Sequence, residues 1–165
     1  MAHIEKSIDV DVPVRTAYDQ WTQFEEFPRF MEGVQEVRQF DDKTLRWRAE
    51  IGGQDLEWTA TITHQEPDQR IAWRSTSGKL NAGSVSFYDL GANRCRVTLR
   101  MEYEPEGATE KMGSALGIVS GRVEGDLRRF KDFIESRGRA TGAWRGAIRG
   151  GTVQREQEGG LQAGM

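Results

Sequence analysis

The chain is short of the residues that build most reactive centres. It has one cysteine, Cys95, and two histidines, His3 and His64, among its 165 residues. An internal disulfide is therefore excluded, and a zinc site of cysteines and histidines has too few ligands. No metal or cofactor is expected. Proline is also scarce, with 4 residues, and no apolar run approaches the roughly 20 residues that a membrane span needs. Stable membrane insertion is not expected. The first residues, Met1 to Lys6, lack the apolar stretch of a signal peptide, and a single cysteine suits a reducing compartment, so a cytoplasmic location is expected. Positive charge is not in excess, since the formal net charge is -3. That argues against nucleic acid as a partner, because phosphate binding wants a basic surface.

What is present is alternation. Leu45, Trp47, Ala49 and Ile51 share one parity, and Arg46, Arg48 and Glu50 the other. Leu56, Trp58, Ala60 and Ile62 repeat this, as do Cys95, Val97, Leu99, Met101 and Tyr103. Period-two alternation marks antiparallel strands with one wet face. Gly52-Gly53, Pro67-Asp68 and Gly91-Ala92-Asn93 read as turns between such strands. Shorter strands are expected at 3–10, 34–40, 70–75 and 83–90, giving seven in all.

Two regions carry helical spacing instead. Val14, Ala17, Tyr18 and Trp21 follow i, i+3, i+4, i+7 behind Pro13. Thr22 and Glu25 have capping-box spacing for a second short helix bearing Phe24, Phe27 and Phe30, with Pro28 keeping it short. Met112, Leu116, Val119, Val123, Leu127, Phe130 and Ile134 form one stripe of about six turns at 3.6 residues per turn. Thr109 suits its start and Gly138 its stop. The expected architecture is α+β: a curved seven-stranded antiparallel sheet around a long C-terminal helix, with two short helices after the first strand.

Glycine marks the boundary of this body. Eight of the 19 glycines follow Arg137, and residues 139–165 hold few large apolar side chains. The expected division is a domain over 1–138 and a flexible tail over 139–165, with Trp144 its local anchor. Glycine also recurs at 113, 117, 121 and 125 inside the long helix, at a cost of about 0.8–1 kcal/mol each. Close packing within the monomer, a helix half soft enough to act as a lid, and a homodimer contact each offset that cost.

Trp47, Trp58 and Trp73 fall on the apolar parity of successive strands. They either fill the core or line a cavity, with indole N–H groups as polar handles. His64 shares the inward parity of its strand but adjoins a turn, and Cys95 reads as a small buried hydrophobe. No Ser-His-Asp arrangement, phosphate loop or metal cluster appears. By parity, Ser75, Asn81 and Tyr103 are the candidates to hold or polarise a carbonyl inside such a cavity.

The opening IDVDVPVRTAYDQWTQFEEFPRFMEGVQEV, the central LEWTATITHQEPDQRIAWRS and the closing VEGDLRRFKDFIESRG resemble the START-like (Bet v 1-like, SRPBCC, helix-grip) superfamily. Within it the chain is similar to the bacterial polyketide cyclase/dehydrase and coenzyme Q-binding-like group. The resemblance spans about residues 1 to 145. It implies a deep apolar cavity between sheet and long helix. Trp47, Trp58, Trp73, Phe87, Leu99, Met101, Leu116, Val119 and Val123 would line it, and Phe27, Phe30 and Met31 would gate it. A carrier or sensor of a hydrophobic small molecule (a lipid, an isoprenoid quinone or a polyketide-like compound) follows. The alternatives are a cyclase or dehydratase using the same cavity, and an interaction protein with a filled core.

Overall fold

Nine strands and two α-helices form where seven strands were expected. The structure is a computed structural model that describes residues 2–51, 53–77, 81–103 and 109–154. The order is β1 (Ala2–Val10), α1 (Val14–Trp21), a 3-10 segment (Phe24–Arg29), β2 (Val34–Gln39), β3 (Thr44–Ile51) and β4 (Gln54–Glu66). It continues through β5 (Arg70–Ser77), β6 (Asn81–Gly91), β7 (Arg94–Tyr103), α2 (Thr109–Arg137), β8 (Ala147–Arg149) and β9 (Thr152–Gln154). The main sheet runs β1-β7-β6-β5-β4-β3-β2, antiparallel at every junction. This is the helix-grip α+β fold, with β8 and β9 added. Among the described residues no helix is long and apolar enough to cross a membrane.

The turns take the backbone their residues allow. Asp68 has φ +64° behind Pro67, and the Gln69 N–H donates to the Glu66 carbonyl. Ala92 and Asn93 both have positive φ, which suits a tight hairpin between right-twisted strands. Gly138, at φ +72°, ends α2 by donating its N–H to the Ile134 carbonyl, the left-handed stop expected there.

The capping box does not form. The Thr22 hydroxyl donates back to the Asp19 carbonyl and accepts from the Trp144 N–H, while Glu25 accepts from the Gln39 N–H. Thr22 is thereby committed to the far end of the chain, not to the next helix.

That far end corrects the expected boundary after Gly138. β4 has 13 residues, and its pairing with β3 stops at Thr61. The overhang is taken up by β8, with His64 opposite Arg149 and Gln65 opposite Ile148. Ile148 is fully buried. Thr141 exchanges two hydrogen bonds with Gln20, and Arg145 pairs with Asp19 at 2.6 Å and Asp68 at 2.8 Å. Residues 139–154 thus form a strap over α1, held by one buried isoleucine and a set of polar ties; residues 155–165 lie outside the described residues. Gly113 and Gly117 have side-chain positions outside the described residues as well. A side chain at Gly121 would meet nothing within 4 Å, and one at Gly125 would first meet the Arg129 guanidinium, so close packing is not what these two glycines serve.

The core lies between the concave sheet face and the second half of α2. Val123, Leu127, Phe130 and Ile134 are buried there against Val10, Val97, Leu99 and Ile71. Truncating Ile148 measures the strap directly. Ile148→Ala is expected to lower stability by about 2–5 kcal/mol in urea unfolding. An unchanged midpoint would return residues 139–154 to a loose tail.

Candidate functional site

The concave face is built by register. Trp47 stands opposite Trp58, Ile62 opposite Trp73, Trp73 opposite Gly83, and Gly83 opposite Met101. Cross-strand partners share a face, so the three tryptophans do converge. Trp47 and Trp58 stack with centroids 5.7 Å apart and planes 7° from parallel. The Trp73 indole lies over Gly83, where a Cβ would sit 2.5 Å from one ring carbon and 3.0 Å from the Met101 sulfur. Glycine is required at 83 because its missing side chain is the seat of that indole.

Coverage along this face is uneven. Val85, Phe87, Val97, Leu99, Ile71 and Trp47 are buried, but Leu56, Trp58 and Met101 are only partly covered. Val123 is buried in that helix; the side chains of Leu116 and Val119, like those of Asn81 and Tyr103, lie outside the described residues. Ser75 is buried on the concave face opposite Ala60 and is already engaged by a neighbour.

The residues expected as a gate are buried in this structure. Phe27 and Phe30 are about 1% exposed, and Met31 is buried too. The two phenylalanines pack edge-on against Trp21, and Phe30 also packs against Phe130. The backbone after them is tied to α2. The Glu32 N–H donates to Asp126, and Arg122 and Arg129 donate to the Glu32 and Phe30 carbonyls. Burial holds the Asp126 carboxyl above its ordinary value, against the opposing pull of Arg129. As placed, these aromatics are packed into the core around Trp21 and Phe130.

Sequence parity misplaced one residue and missed another. A bulge at Thr63 shifts the register between Ile62 and His64. His64 therefore lines up with Ala72 on the outer face, and Gln65 turns inward and is fully buried. Its carboxamide lies beside the Tyr18 phenol without a well-formed hydrogen bond, and the Trp21 and Trp47 indole N–H groups also lack partners among the described residues. Burial holds the Tyr18 phenol protonated, well above its ordinary value, despite the nearby Gln65 and Arg145. Neither Gln65 nor Arg145 carried a sequence signal, because a bulge and a glycine-rich strap hide both.

No group of three or more metal-ligating side chains occurs among the described residues. Lys6 of β1 pairs with Glu124 of α2 at 3.6 Å. Cys95 is fully buried, and burial pushes its thiol up to about 11. It is no nucleophile at neutral pH. The described part of this face is apolar and presents no acid–base pair.

The profile of the family described as "Polyketide cyclase / dehydrase and lipid transport" matches residues 10–132. The chain belongs to this family. A 17.2 kDa protein from the melC2-rnhH intergenic region of Streptomyces lincolnensis is 48% identical over 149 residues, covering 90% of this chain and 99% of that protein. Among solved structures, a START superfamily protein from Mycobacterium smegmatis superposes with a TM-score of 0.67 at 15% identity, over 80% of this chain and 98% of that one. The Zhui aromatase/cyclase from Streptomyces sp. R1128 does so with a TM-score of 0.70 at 18% identity, over 86% and 98%. At these identities the two structures speak for the START-like fold of the family.

Two outcomes check the site's geometry. Gly83→Ala should displace the Trp73 indole, costing about 1–3 kcal/mol and shifting tryptophan emission. Unchanged emission and stability would mean the ring does not lie over residue 83. Cys95 should resist a thiol reagent at pH 8 in the native protein and react on unfolding; fast native labelling would contradict its burial.

Proposed function

We propose that this family member binds an apolar small molecule (a lipid, an isoprenoid quinone or a polyketide-like compound) between the concave sheet face and the first half of α2, as a carrier or sensor. The observation that carries the reading is the uneven coverage of one aromatic face. Trp47 is buried while its stacked partner Trp58, together with Leu56 and Met101, stays partly uncovered. Apolar surface left accessible on the inner side of a sheet is what a ligand cavity needs and what a filled core removes. The Trp47 N–H is buried without a partner among the described residues, so a ligand oxygen that reached it would satisfy it. The family's description, which joins polyketide cyclisation to lipid transport, supports the same ligand class.

Binding is favoured over turnover by what the described face offers. Catalysis of cyclisation or dehydration needs a proton donor and acceptor in reach of the ligand. Ser75 is engaged, and a cyclase or dehydratase would rest on Asn81 or Tyr103.

The test is native mass spectrometry of gently purified protein, with a solvent extract of the same sample, followed by tryptophan-fluorescence titration with a quinone, a fatty acid and an aromatic polyketide. A retained mass or saturable quenching is expected, and Trp58→Ala should weaken it about tenfold, the equivalent of about 1.4 kcal/mol. A clean apo mass with no response in all three titrations would overturn the proposal. Doubling of the apo mass would instead favour the homodimer.

A further inference from the structure

The outer face of the sheet carries a second groove, of about 610 Å3, on the side away from α2. Its floor is made of small residues in one patch: Ala72, Ala82, Gly83 and Ser84. Register places Ser86 and Thr98 in line with Arg70, Ser84 and Arg100 in line with Ala72, and Ala82 in line with Arg74. Arg70 and Arg74 are four residues apart on β5, so both point outward and stand about 13 Å apart at their Cα atoms. The two exposed guanidiniums flank the small-residue floor, Arg100 stands across it, and the half-exposed Tyr88 closes one end.

The charge pattern singles this groove out. Elsewhere on the sheet the arginines have carboxylate partners. Arg46 pairs with Glu57 at 3.3 Å, Arg48 with Glu36 at 3.9 Å, Arg94 with Asp11 at 3.0 Å, and Arg96 with Asp9 at 2.8 Å. Arg70 and Arg74 have no carboxylate partner among the described residues; apart from Arg38 near the β2 edge, they are the exceptions on the strands' outer face. Arg100 has only Glu102, at 3.6 Å. Ser84 and Ser86 lie between these cations, and their hydroxyls make no hydrogen bond among the described residues. Guanidiniums without a carboxylate partner among the described residues, with hydroxyl donors between them and a floor where a ligand can approach the backbone, match the recognition chemistry of a phosphate group. Glu5 and Glu102 on the far rim restrict an anion to the β5 side.

We infer that this outer groove is a binding site for a phosphate-type oxyanion, held by Arg70 and Arg74 with Ser84 and Ser86, either free or as the phosphate of an organic ester whose ring rests on Tyr88. The site is separate from the concave face, and neither proposal depends on the other.

Amide chemical shifts of the labelled full chain read it directly. Inorganic phosphate, AMP and sodium chloride matched for ionic strength are titrated in parallel. The expected result is saturable shifts confined to residues 70–74, 84–86 and 98–100 with phosphate or AMP but not with chloride. The double variant Arg70→Gln/Arg74→Gln should lose at least about tenfold in affinity. Both side chains are exposed, so its melting curve should match the parent; if it does not, each single variant is titrated instead. Tighter AMP binding that Tyr88→Ala reverses identifies an ester; equal affinities identify the free ion. Equal shifts with chloride, no saturation with either phosphate compound, or undiminished binding by the arginine variants would overturn the inference.

Discussion

The contact of Phe130 with Trp21 and Phe30 organises the molecule. It joins α2 to both of the short segments that follow β1, with centroids 5.2 Å from each partner ring. Because this block sits at the C-terminal half of α2, the helix is fixed to the sheet at one end. A 29-residue helix is about 43 Å long, and aromatic packing accounts for the part beyond Val123. Trp58 and Met101, by contrast, are not fully covered. The packing of one phenylalanine thus fixes the end of the helix that holds the core.

Polar ties reinforce that asymmetry. Lys131 donates to the Asp9 carbonyl, and Glu135 accepts from the Asp11 N–H, fastening the end of α2 to the exit from β1. Asp126, Arg122 and Arg129 fasten it to the segment after Phe30. Individually exposed ion pairs contribute little. These combine charge with otherwise open backbone groups, and they cluster at one end, so they set position more than net stability.

The strands were legible because each presents one wet face, and Arg46-Trp47-Arg48 or Arg96-Val97-Thr98 admits no other period. The long helix was legible from an unbroken stripe ending at Gly138. Three features were hidden. The bulge at Thr63 has no residue signature, and it exchanged His64 for Gln65 on the inner face. Thr22 and Glu25 had the spacing of a capping box, but Thr22 is held by Trp144, which is 122 residues away in the chain. The strap escaped notice because it depends on geometry created by another element. Ile148 is an isolated apolar residue among glycines until the unpaired end of β4 provides its place. On the candidate site, the shared face of Trp47, Trp58 and Trp73 was readable from parity. The placement of Phe27 and Phe30 was not, since an aromatic after a short helix serves equally as doorway or as keystone.

The placement of the strap gives the molecule a polarity that matters for handling it. β8 and β9 lie at the end of the sheet where α1 and the β4–β5 turn meet, and Gln154 leaves from there. A pull applied at Gln154 would act first on β9. Load applied there passes through two short strand pairings, β9 on β8 and β8 on β4, before it reaches the main sheet.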